Sequence, residues 1–283
     1  MTSSEATSQE LVEPPSDLAA WTDHFRRAEI PVLRETVDSL DGLRANEDLT
    51  DANSIGELIG GDPLMTLKVL AHASEHRGRS VVTAPDTVIG ALVMMGIPPF
   101  FQAFAAPIAV EDRLASSRGA LAGIERVLRR AHRGARFALA FAIHRTDPHA
   151  ATVHAAALLH EFAEMLFWCH APRLALRVRA MQDADPALRS NAAQRSVLGI
   201  ELNDLQQALV AAWQLPSLLS ATGHDAKIGS TSARSVTLGA QLARHTAAGW
   251  DNAAVPDDVA EVAAFLNLSP AAALHLVREI DAD

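Results

Sequence analysis

The sequence predicts an all-α protein. Much of its 49% apolar content is Ala and Leu, residues of high helix propensity, while aromatics make up 5% and Tyr is absent. Helix start signals recur along the chain, and the period-two alternation of half-buried strands is nearly missing. With this apolar share, 283 residues can bury one large core or two modest ones.

Met1 to Ser16 carries acidic residues and no apolar run of the signal-peptide kind, so a disordered tail is expected there. Helices are expected over 17–29, 31–44 and 52–60. Asp62-Pro63 provides an N-cap followed by proline at the first helical position and opens 63–76. Ala84-Pro85-Asp86 is a similar start for 86–95. Gly90 to Val110 is long and apolar enough to cross a bilayer, but Pro98, Pro99 and Pro107 interrupt it after Gly96. Two short buried helices, the second over 98–109, are expected instead of a membrane span.

The one shift in composition, Glu111 to Gly119, separates an N-terminal helical lobe, 17–115, from a helical bundle, 116–283. In the bundle, helices are expected over 118–146, 149–168, 172–182, 186–197, 202–213, 216–222, 232–247, 257–265 and 270–281. Trp213 anchors a helix end, Pro216 opens the next helix, and Ser269-Pro270 opens the last.

The formal charge of −10 repels nucleic acid and anionic membrane, so binding to either would need a local basic patch. The single cysteine, Cys169, excludes an internal disulfide framework and a cysteine-rich zinc module, and it suits a reducing cytoplasm. It stands beside His170 in an apolar segment with nothing to lower its pKa, so it reads as a packing residue. No G-x-S-x-G elbow anchors Ser/His/Asp chemistry.

Ile30-Pro31, Asp62-Pro63, Leu67-Lys68-Val69-Leu70 and Gly96 resemble the opening of an HDOD domain, a bacterial helical module related to the HD phosphohydrolases. Val197-Leu198-Gly199, Trp213-Gln214-Leu215-Pro216 and His224 resemble its closing section, so the likeness runs from Ile30 to His245 and leaves the stretch from Asp251 unexplained. The resemblance implies an all-α fold with an HD-like bundle in the second lobe, and a signalling or regulatory role without catalysis in most members. It also implies where a metal would sit. His132 stands for the first histidine, His160-Glu161 for the His-Asp doublet, Gln241 for the distal aspartate, and Glu164 replaces a lysine that often follows the doublet.

A glutamate at 161 keeps the carboxylate but adds a methylene, and a glutamine at 241 loses an anionic ligand that a catalytic metal site needs. On a helical wheel of 149–168, His154, His160, Glu161 and Glu164 share one polar sector, which suits a metal, an ion pair or a solvent-facing edge equally. A zincin signature would need a second histidine, which is missing. Arg126, Arg129, Arg130, Arg133 and Arg136 project from one face of 118–146, opposite Ile124, Leu128, Ala131, Ala135 and Leu139. Such a strip is either a solvated helix face or a docking surface for an acidic protein, a nucleotide phosphate or a nucleic-acid backbone; Arg145, His144 and His149 either extend it or are loop residues. His224-Asp225 reads as a turn.

The functional expectation is a non-catalytic, cytoplasmic HDOD-type regulator with a degenerate metal site, no cofactor and a protein partner. Homo-oligomers are open to such a module; nucleic acid and membrane are disfavoured. Two alternatives stand beside it. One is a divergent metal-dependent phosphohydrolase using His132, His160, Glu161 and Glu164. The other is a sensor of a nucleotide second messenger.

Overall fold

A computed structural model describes residues 10–76, 85–185, 187–220 and 231–282, and among these the chain is helical with no strand. The helices are α1 (Leu18–Arg27), α2 (Arg34–Arg44), α3 (Ala52–Ile59), α4 (Pro63–Glu75), α5 (Val88–Met95), α6 (Ile97–Ala103), α7 (Val110–Arg113) and α8 (Arg118–His144). They continue as α9 (Ala150–Leu158), α10 (Phe162–His170), α11 (Pro172–Ala184), α12 (Ser190–Leu198), α13 (Leu202–Ala212), α14 (Ser217–Ser220), α15 (Thr231–His245), α16 (Val255–Leu266) and α17 (Pro270–Ala282). No single helix among the described residues is long and apolar enough to cross a membrane. The apolar stretch from Gly90 is α5 and α6, divided at Gly96, whose φ of +87° suits a residue without a Cβ.

Two compact units form, Met1–Val127 with Glu161–Pro216, and Leu128–His160 with Ser217–Asp283. The chain therefore passes between units inside α8, at His160, and after Pro216, where the sequence alone suggests one boundary near residue 115.

In the first unit, α1 buries Trp21 and Phe25 one turn apart and packs on α13, and the Trp21 indole N–H donates to the Leu198 carbonyl at 3.2 Å. Asp62, 2% exposed, starts two helices at once. One of its oxygens accepts from the backbone N–H groups of Leu64 and Met65 at the head of α4. The other accepts from the Leu33 N–H and the Thr36 hydroxyl at the head of α2. Asp62-Pro63 is thus the helix start expected, with a second duty.

Three local expectations are corrected in this unit. The helix expected over 31–44 begins at Arg34, because Val32 exchanges backbone hydrogen bonds with Ile108 and Val110 in an isolated parallel bridge to Ala109. The helix expected over 98–109 ends at Ala103, since Pro107 cannot continue it and the chain beyond is extended to meet Val32. The described end of the expected disordered tail is tied down: the Leu11 N–H donates to the His170 carbonyl at 2.8 Å, and Glu10 pairs with Arg173 at 3.1 Å.

The second unit is built around the latter part of α8 and α15, which cross at Gly134 and Gly239. Its core joins Phe137 and Phe141 of α8 to Leu238 and Leu242 of α15, Val255, Val259 and Val262 of α16, and Ala273 and Val277 of α17. The final stretch, unexplained by the resemblance, thus completes this core. Ser269 opens α17 as expected, its hydroxyl accepting from the Ala272 N–H.

The helix expected over 149–168 is two helices, α9 and α10, separated at Leu159-His160-Glu161. No glycine or proline marks the break. Leu158 and Leu159 are buried before it and Phe162, Met165 and Leu166 after it, and the chain changes units at that point, so tertiary burial on both sides overrides helix continuity.

Candidate functional site

The break removes the single polar sector drawn on 149–168. His154 lies on α9, His160 follows its last turn, Glu161 is the residue before α10 with φ −124° and ψ 33°, and Glu164 lies in the first turn of α10. His132, His160 and Gln241 belong to the second unit, Glu161 and Glu164 to the first.

Within the second unit, α8 carries His132, half-buried, and α9 brings His154 near it. Burial holds the His154 imidazole below its ordinary pKa, and repulsion from His132 adds to this. α15 carries Gln241, whose side-chain N–H donates to a carboxylate oxygen of Asp258 at 2.7 Å. The other oxygen of Asp258 meets Nδ1 of His245, also at 2.7 Å. Asp258, on α16, is 3% exposed and is held from both sides by α15.

The positions assigned to ligands supply two imidazoles, His132 and His160, and a neutral amide in the second unit, and two carboxylates, Glu161 and Glu164, in the first; the buried carboxylate beside the amide is already engaged. A hard divalent cation is held by several anionic oxygens. Among the described residues, no group of three or more His, Cys, Asp or Glu could hold a metal ion.

The five arginines do not stand as one equivalent strip. Arg126 and Arg129 are exposed, while Arg130, Arg133 and Arg136 are half-buried. Arg133 grips Asp281 of α17 with two parallel bonds, Nε to Oδ1 at 2.7 Å and Nη2 to Oδ2 at 2.9 Å. It also donates to the carbonyl and hydroxyl oxygens of Thr246. Arg136 lies 4.0 Å from the same carboxylate, and the Trp250 indole N–H donates to it at 3.0 Å. Burial works to raise the Asp281 pKa, but Arg133, with Trp250 and Arg136, together outweigh it and hold the carboxyl below its ordinary value. Arg133 is therefore an anchor for the last helix, using the charge that sequence periodicity assigned to a surface.

In the first unit, Cys169 is buried and burial pushes its thiol pKa up, in keeping with a packing role. A polar cluster beside it went unread in the sequence. The Arg113 guanidinium donates to the Cys169 carbonyl at 2.7 Å and to Nδ1 of His170 at 2.8 Å, and His24 stands edge-on to His170. Burial, with Arg113 nearby, lowers the pKa of both histidines. Asp258 and Asp281 were likewise unread; their only signal was an acid in the first turn of a helix and one near the chain's end. His224-Asp225 lies outside the described residues.

A family model for the HDOD domain matches residues 30–225. The chain belongs to the HDOD family. The match takes in α2 through α14 of this HDOD protein and ends before Gln241, so the distal ligand position rests on the sequence resemblance and lies outside the matched residues. Comparison with curated proteins yields no match. Among solved structures, the fold is shared with the MmoQ response regulator of Methylococcus capsulatus, at a TM-score of 0.65 and 20% identity over 88% of this chain and 98% of that one. A virulence factor from Campylobacter jejuni aligns with a TM-score of 0.62 and 16% identity, covering 88% of this chain and 87% of its own. An HDOD domain protein from Geobacter sulfurreducens aligns with a TM-score of 0.50 and 15% identity, covering 94% and 96%. At these identities the likeness is one of fold.

Proposed function

We propose that this HDOD protein is a non-catalytic signalling or regulatory component that acts by binding a partner protein, with a degenerate metal site. The observation that carries this reading is the Gln241–Asp258–His245 arrangement. At the place of an anionic ligand stands an amide, and the adjacent carboxylate is buried and hydrogen-bonded on both oxygens. A metal would have to break two short hydrogen bonds inside a packed core to use it. The structural likeness to a response regulator supports a signalling role. The reading places the protein in the cytoplasm, which its single buried thiol favours.

The test is a phosphomonoester and phosphodiester hydrolysis screen with Mn, Fe, Zn, Ni and Mg, comparing the natural chain with His160→Ala. Equal background rates are expected. Turnover by the natural chain that disappears in His160→Ala contradicts the reading and returns the phosphohydrolase alternative.

A further inference from the structure

We propose that Arg145 and Arg234, gathered over the ring of Phe265, form a docking site for an acidic segment of a partner protein. The inference deepens the partner-binding reading and rests on it.

Three elements of the second unit build the site. Arg145 follows the last residue of α8, Arg234 lies on α15 and Phe265 on α16. The two guanidinium carbons stand 5.6 Å and 5.5 Å from the ring centroid, and both arginines are exposed while the ring is half-buried. Two like charges are thus brought within about 11 Å of each other by one aromatic side chain. A cation–π contact orients a guanidinium but uses none of its five N–H donors.

Among the described residues neither arginine makes an ion pair or a hydrogen bond through its side chain. Arg133 of the same unit, by contrast, has four such bonds. The nearest acid in sequence, Asp147, is engaged elsewhere: it accepts from the Ser232 hydroxyl at 2.6 Å and from the His149 N–H at 2.9 Å.

The chemistry that complements two oriented guanidiniums with no ion-pair partner among the described residues is a pair of carboxylates, each able to take a forked pair of N–H donors. On a chain of net charge −10, such a spot is a local positive exception that attracts an acidic segment against the general field. Because the ring already carries the guanidiniums, it is poorly placed to stack a nucleobase, which favours peptide carboxylates over single-stranded nucleic acid.

The experiment measures fluorescence anisotropy of a labelled Glu-rich peptide with the full chain, alongside the same peptide with Gln for Glu. Saturable binding of the Glu peptide is expected, weakened by added salt and about tenfold by Arg145→Gln with Arg234→Gln. Arg126→Gln should leave it unchanged, and the Gln peptide should not bind. Circular dichroism and thermal midpoints check that the variants are folded. Absence of saturable binding overturns the inference, as does binding that the double variant retains or tighter binding of single-stranded DNA through the same arginines. Hydrolytic turnover would instead overturn the partner-binding reading, so the two failures are distinguishable.

Discussion

Gly239 of α15 crosses Gly134 of α8 so closely that a Cβ on Gly239 would lie 2.6 Å from the Gly134 carbonyl oxygen and 2.7 Å from the Ala138 nitrogen. Both obstacles are backbone and cannot rotate away. Gly239→Ala should destabilise the second unit by roughly 1–3 kcal/mol, the usual range for overpacking, read as a lower urea midpoint with an unchanged slope. An unchanged midpoint would show that the two helices can separate freely.

Asp62→Ala removes both carboxylate oxygens that four donors share at the heads of α2 and α4. Losing an N-cap costs about 1 kcal/mol, and buried donors left unsatisfied cost about 1–3 kcal/mol more. A loss of at least about 2 kcal/mol in chemical denaturation is therefore expected. Asp62→Asn should recover part of it, since its side-chain oxygen can still accept.

Arg133 and Asp281 should couple in a double-mutant cycle. Both side chains are less than a quarter exposed, at 21% and 17%, so the forked pair is screened less than a surface bridge. A coupling of about 1–2 kcal/mol is expected at neutral pH. The Asp281 pKa is depressed in the folded chain, so this stability is present above the ordinary carboxylate pKa of 3.8 and is lost as pH falls through the folded value. Asp281→Asn should flatten that acid limb of the stability profile.

His24 and His170 give a second, separate pH dependence. Their folded pKa values lie below the ordinary 6.5, so the unfolded chain binds protons that the folded first unit does not. Their contribution is constant above that value, and stability declines as pH falls below it. Denaturation midpoints measured between about pH 7.5 and 5.5 should fall with acidity, and His24→Phe should reduce the slope. A profile unaffected by that substitution would contradict the assignment of His24.

Local chemistry was the legible part of the fold. Asp62-Pro63 and Ser269-Pro270 announce their helices because capping depends on residues a few positions apart. The break at His160 was not legible, since no turn-forming residue signals it and it falls between the buried Leu159 and Phe162, where the chain changes units. The same division holds for the candidate site. The substitution at Gln241 could be read from the resemblance, but its partner Asp258 comes from the following helix and could not. Periodicity placed Arg133 on a face of α8, yet its partner Asp281 lies at the far end of the chain.

The most direct measurement is elemental analysis of the full chain, purified without a metal-affinity tag and after incubation with Mn, Fe, Zn, Ni and Mg in turn, with His160→Ala in parallel. The account predicts metal far below one ion per chain and no difference between the two proteins. Near-stoichiometric metal that is lost in His160→Ala would contradict it.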